Sequence, residues 1–162
     1  MSGTRRRAVV TGLGAVSGWG WGVAPLWQGL RSGGTSIRPV SRFDAKGQRT
    51  KIAAEVPEPQ AEARALFADR RLSRADVYAV CAAREALAAA GLPPCLELDE
   101  AGVFFGSSTG GFLESEEFFA RLIGPSRVPV RTSLLGSQQC NGPGDAVARA
   151  ARVGGPVLTV SS

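Results

Sequence analysis

Residues 141–162 read NGPGDAVARAARVGGPVLTVSS, a helix handed through a glycine–proline turn to a short strand. Asn141 or Gly142 stands at the cap position, and alanines, valine and arginine follow at helical spacing until Gly154–Gly155. Val157–Val160 is apolar and β-branched, the composition of a buried strand entered through a turn. A helix that delivers the chain straight into such a strand is the repeating unit of an α/β layered fold. A buried strand normally runs on into a loop, so further structure is expected to follow Ser162 and to hold this end in place.

The same alternation runs upstream. AGVFFGSSTGG (101–111) reads as a buried strand leaving into a glycine-rich loop. An amphipathic helix over 112–123 follows, with Glu114, Glu116 and Glu117 near its start and Arg121 near its end, the favourable sense for the helix dipole. The clearest helix is Ser73–Ala90. Ser73 and Asp76 form a capping-box-like start, Val77, Val80, Ala83, Leu87 and Ala90 share one face, and Gly91 with Pro93 ends it. Its many alanines make it slim enough to lie close to a sheet or to another helix. At the start, Ala8–Thr11 is expected to be a strand running into GLGAVSGWGWG, and VAPLWQGLRSG to be a short helix closing at Gly33–Gly34. Residues 35–72 are expected to be irregular apart from a strand at Lys51–Val56 and a turn at PEP.

Composition narrows the function classes. A chain of 162 residues suits one domain or a piece of a larger one, and 44% hydrophobic with 20% charged residues excludes global disorder. No apolar run is long enough to cross a bilayer. TRRRAVVTGLGAV has arginines before an apolar stretch but is too short and too interrupted for a secretory signal, so a cytoplasmic location is expected. Cys81, Cys95 and Cys140 form no disulfide framework, and with no histidine the chain offers neither a zinc site nor the usual general base. No cofactor and no metal are expected. The net charge of +5 comes from 17 arginines and 2 lysines scattered without a basic stripe, which argues against nucleic acid and for an acidic protein partner. The first glycine loop also fails as a dinucleotide cradle: after Gly12 and Gly14 the third glycine arrives one residue late, at Gly18, and WGWG opens no helix.

Taken together, RRAVVTGLGAVSGWGWGVAPLWQGLRSGGTSIRPVSRFDA, KIAAEV, AAREALAAAGL, VFFGSSTGG and GGPVLTVSS resemble, in order, the N-terminal half of the β-ketoacyl-acyl carrier protein synthases, the condensing enzymes of fatty-acid and type II polyketide synthesis. The resemblance implies a thiolase-like α/β fold, of which this chain is the N-terminal half, completed by a second chain or a further segment. It also implies that the strand matching PVLTVSS leads to a nucleophilic cysteine at a helix N-terminus just beyond Ser162, with two histidines much later. No catalytic residue then lies within the chain itself. Two loops depart from the family pattern: SGWGWG stands where S-P-x-G is usual, and VRTSLLGSQQCN where many members carry an S-P-F-F-V-P-like acyl-pocket segment.

The resemblance assigns candidate sites, each with a plainer rival. Thr109 matches a gate at the floor of the acyl pocket; its rival role is a turn hydroxyl. Leu134, Leu135 and Gln139 match positions that reach the partner subunit's pocket, against ordinary dimer packing. Arg70, Arg71, Arg74 and Arg127 would dock the acidic carrier protein, against a solvated basic face. Implied partners are the companion half, acyl carrier protein and a second ketosynthase unit, with no nucleic acid and no membrane. Two functions stay open: half of an active condensing enzyme, or a non-catalytic subunit resembling the chain-length factors, which share these motifs but lack the cysteine.

Overall fold

The computed structural model describes residues 7–93, 100–125, 129, 132–136 and 138–161. In chain order the elements are β1 (Val16–Ser17), β2 (Gly20–Trp21), α1 (Val23–Arg31), β3 (Arg38–Pro39), β4 (Ile52–Ala53), α2 (Ala61–Ala68), α3 (Arg74–Ala89), β5 (Val103–Gly106), α4 (Phe112–Ile123), α5 (Ser133–Gly136), α6 (Gly142–Ala151) and β6 (Val157–Val160). β1 pairs antiparallel with β2 and β3 with β4, whereas β5 and β6 run parallel, Val103 opposite Val157 through Gly106 opposite Val160. A parallel pair needs a crossover, and α4, α5 and α6 supply it.

The centre is α3. Ser73 Oγ accepts from the Asp76 N–H at 3.1 Å while Asp76 Oδ2 accepts from the Ser73 N–H at 2.7 Å, closing the capping box read in the sequence. Gly91, at φ +70°, takes the left-handed turn that ends the helix. Val77 and Val80 are fully buried, and α3 packs on α6, whose Ala146, Ala148 and Ala151 are buried, and on α2 through a layer containing Ala63.

The slimness of α3 has a counterpart in the first glycine loop. A Cβ on Gly14 would overlap the Ala82 carbonyl oxygen, and one on Gly12 the Ala86 carbonyl oxygen. These glycines therefore allow backbone to lie on backbone. Gly14→Val is expected to cost more than about 3 kcal/mol, since neither helix nor loop can retreat. Gly47→Val, with nothing within 4 Å of the added Cβ, should be near neutral. Chemical denaturation of the full-length protein decides, and equal midpoints for the two variants would refute the close approach.

Three expectations are corrected here. Ala8–Thr11 forms no strand: a strand exists through its ladder, and these residues have no ladder partner among the described residues. Residues 61–68, expected to be irregular, form α2, an eight-residue helix of good helix formers introduced by Pro57 and Pro59. The Lys51–Val56 strand contracts to Ile52–Ala53.

The tryptophans that depart from the family pattern are packing residues. Trp19 lies against α1 where Gly29 has no side chain; a Cβ there would overlap the indole. Trp21 makes edge contacts with Tyr78 (5.5 Å between centroids) and Phe67 (6.4 Å), and its indole N–H donates to the carbonyls of Pro57 and Glu58. Glu85 completes the tie: its carboxylate accepts from the N–H groups of Ala15 at 2.9 Å and Val23 at 2.8 Å, and so caps α1 from α3.

Among the described residues, β5 and β6 are covered on one face only. Phe105 and Thr159 face the start of α6, where Gly144 lets the helix approach. On the other face Phe104 and Val160 are each 74% exposed, beside an exposed Leu158.

Candidate functional site

The parallel strands carry their loops to one end. Ser107 N–H, just past β5, donates to the carbonyl of Val160 at 3.0 Å, and Ser107 Oγ donates to the carbonyl of Thr109 at 2.8 Å. Gly110 N–H donates to the carbonyl of Gln138 at 3.3 Å. The end of β6, the Thr109 loop and the segment after α5 therefore meet at the carboxyl edge of the strand pair, where ligands of open α/β sheets characteristically bind. Thr109 is exposed there. Leu135 is half-buried in α5 and Gln139 is exposed, its carbonyl accepting from Gly142 at the start of α6. Leu134 belongs to the same short helix.

The arginines approach this end from α3. The Arg74 N–H donates to Glu114 Oε1 at 2.8 Å, joining the starts of α3 and α4. Its guanidinium lies 5.7 Å from the centroid of Phe67. Arg71 holds Asp69 through two parallel hydrogen bonds of 3.0 and 2.9 Å, and these bonds pull the Asp69 carboxyl down to about 2. Arg70 is exposed. Arg127 and Cys95 lie outside the described residues. The arginines expected to dock a partner thus differ in what they can offer: the charge of Arg71 is matched by Asp69, and Arg74 is anchored on a ring.

One residue of this end was missed as anything more than a cap. Asp76 is 2% exposed, and burial pushes its carboxyl above the usual aspartate range against the lowering effect of the Ser73 hydrogen bonds. Glu114 raises it further and Arg149 lowers it. A sequence shows the capping box but not the depth at which the box is buried.

Cys81, half-buried on α3, has its thiol pushed up by burial and by Glu62, the opposite of an activated nucleophile. Among the described residues no cluster of three metal-ligating side chains occurs, and no helix is long and apolar enough to cross a membrane.

Residues 5–162 match the family model described as the N-terminal domain of β-ketoacyl synthase. The chain belongs to the β-ketoacyl synthase family. It is 38% identical over 130 residues to 3-oxoacyl-[acyl-carrier-protein] synthase 2 of Synechocystis, which covers 76% of this chain and 30% of that protein. It is 34% identical over 119 residues to the tetracenomycin polyketide synthase ketoacyl synthase alpha subunit of Streptomyces glaucescens, covering 72% and 28%. Among solved structures, the ishigamide ketosynthase/chain length factor superposes with a TM-score of 0.80 at 28% identity, over 98% of this chain and 40% of that one. The fold is thiolase-like, and the chain spans less than a third of the length of these two curated relatives.

Proposed function

We propose that this chain is the N-terminal part of a ketosynthase that performs decarboxylative Claisen condensation for fatty-acid or polyketide synthesis. The observation that supports this most is the meeting of the β6 end, the Thr109 loop and the α5 segment, because the family's nucleophile follows directly on the strand matching β6. In this reading an acyl group passes from carrier-protein thioester to a cysteine beyond residue 162, and the carrier thiol leaves. A malonyl thioester then loses carbon dioxide, and the resulting enolate carbon attacks the cysteine-bound acyl carbonyl. Backbone N–H groups hold the tetrahedral oxyanion until it collapses and expels the cysteine thiolate. Thr109 borders the acyl chain, and Leu134, Leu135 and Gln139 belong to the segment that serves a second ketosynthase unit's pocket. Arg70, Arg71, Arg74 and Arg127 are the residues that would dock the acidic acyl carrier protein. The remainder of the thiolase-like fold, on the same polypeptide or a companion, supplies the histidines. We place the assembly in the cytoplasm.

A second reading, a non-catalytic subunit of the chain-length-factor kind, draws support from the superposition on a structure named for both a ketosynthase and a chain length factor, a likeness that fits the first reading equally. The full-length protein, given acyl- and malonyl-carrier thioesters, is expected to release carbon dioxide and form a β-ketoacyl product; no condensation by the purified assembly would favour the second reading. In the same assay Thr109→Phe should shorten the products or block acyl loading, because a ring forced into a packed pocket costs about 1–3 kcal/mol. An unchanged product profile would leave Thr109 as a turn residue only.

A further inference from the structure

A small polar cavity of about 230 Å³ lies beneath α5, and its lining includes Asp76, Ser133, Gly142, Asp145 and Arg149. Asp76 forms its buried side: one carboxylate oxygen accepts the Ser73 N–H, while Oδ1 is buried without a hydrogen-bond partner among the described groups. A buried carboxylate oxygen left without a partner is costly, so a side chain in this position calls for a counterpart. Arg71 also lines the cavity but is engaged by Asp69, and Asp145 Oδ2 already accepts from Asn141 Nδ2 at 2.8 Å. Arg74 presents its backbone N–H to Glu114. Among the described residues, the remaining polar side chains of the cavity are Ser133, at the start of α5, and Arg149, on α6. The volume admits several water molecules, and the polar groups on its walls are the kind that order them.

We propose that Asp76 is a positioning residue for the acyl-binding segment: through water-bridged hydrogen bonds across this cavity to Ser133 and Arg149 it fixes α5, and with it Leu134, Leu135 and Gln139. The inference rests on the ketosynthase reading. α5 is a single turn, and it lies between α4 and α6 in the chain. A four-residue helix has too few internal hydrogen bonds to set its own position, so the floor beneath it sets it. Asp76 touches no substrate in this arrangement and acts through the segment above it.

The test uses the full-length protein and acyl-carrier donors of graded chain length. Asp76→Ala removes the bridge and is expected to raise KM for the preferred acyl donor about fivefold, the equivalent of one hydrogen bond, and to flatten the preference among chain lengths while kcat stays within about twofold. Asp76→Asn keeps the acceptor for Ser73 and a polar group towards the cavity, and should restore most of the selectivity. Ser133→Ala, on the other side of the cavity and away from the α3 cap, should move KM in the same direction without lowering the melting temperature, which keeps the test valid if Asp76→Ala folds poorly. Wild-type KM and selectivity in Ser133→Ala and Asp76→Asn, with a melting defect confined to Asp76→Ala, would reduce Asp76 to a helix cap and overturn the proposal. Failure of the wild-type protein to condense at all would instead overturn the ketosynthase reading.

Discussion

Residues 1–162 produced alone are expected to aggregate, and to become soluble when produced with the rest of the thiolase-like fold. The reason lies in the uncovered face of the β5–β6 pair. Phe104, Leu158 and Val160 present a continuous apolar surface on strands whose opposite face is already taken by α6, and Val9 and Val10 are exposed as well. Soluble monomers rarely leave a contiguous apolar patch of this kind bare, and an exposed parallel strand pair adds unpaired edges that template association. Replacing Phe104 and Val160 together by serine should raise the soluble yield of the isolated segment, because both side chains point away from α6. The same double replacement in the complete protein should lower stability by several kcal/mol, since each large buried apolar side chain contributes about 2–5 kcal/mol. Size-exclusion chromatography and thermal melting check both halves. A monodisperse, cooperatively melting species from unmodified residues 1–162 would show that the face needs no cover.

Much of this arrangement was legible from local chemistry. The Ser73–Asp76 box, the Gly91 stop and the Val77–Val80 stripe located α3 to within a residue, because capping and periodicity are short-range signals. The β6 strand and the helix before it were legible for the same reason. Ala8–Thr11 was not, because its β-branched run says what a segment can do and not whether a neighbouring strand is there to pair with it. α2 was hidden behind two prolines that read as loop, although a proline before a helix is compatible with its start. The candidate site divides the same way. Thr109 and the α5 segment were singled out by motif, and the Gly110–Gln138 hydrogen bond brings their loops together. The roles of Glu85 and Asp76 depend on groups brought together by folding or on the depth of burial, and no local pattern encodes either.

The proposed condensation needs a nucleophile just past β6, and brief alkylation of the full-length protein tests for it most directly. A cysteine opening a helix immediately beyond residue 162 would have its thiolate favoured by the helix N-terminus, which lowers a thiol pKa by one to several units from about 8.5. Cys81 has the opposite environment, raised by burial and by Glu62. With limiting iodoacetamide near neutral pH, that cysteine should be labelled more than about tenfold faster than Cys81, Cys95 or Cys140, and prior incubation with an acyl-carrier thioester should protect it. Peptide mapping by mass spectrometry reads both quantities in one experiment. Rapid, acyl-protected labelling at that single position is the result the account predicts; labelling confined to Cys81, Cys95 and Cys140, or a glutamine in the expected place, would contradict it.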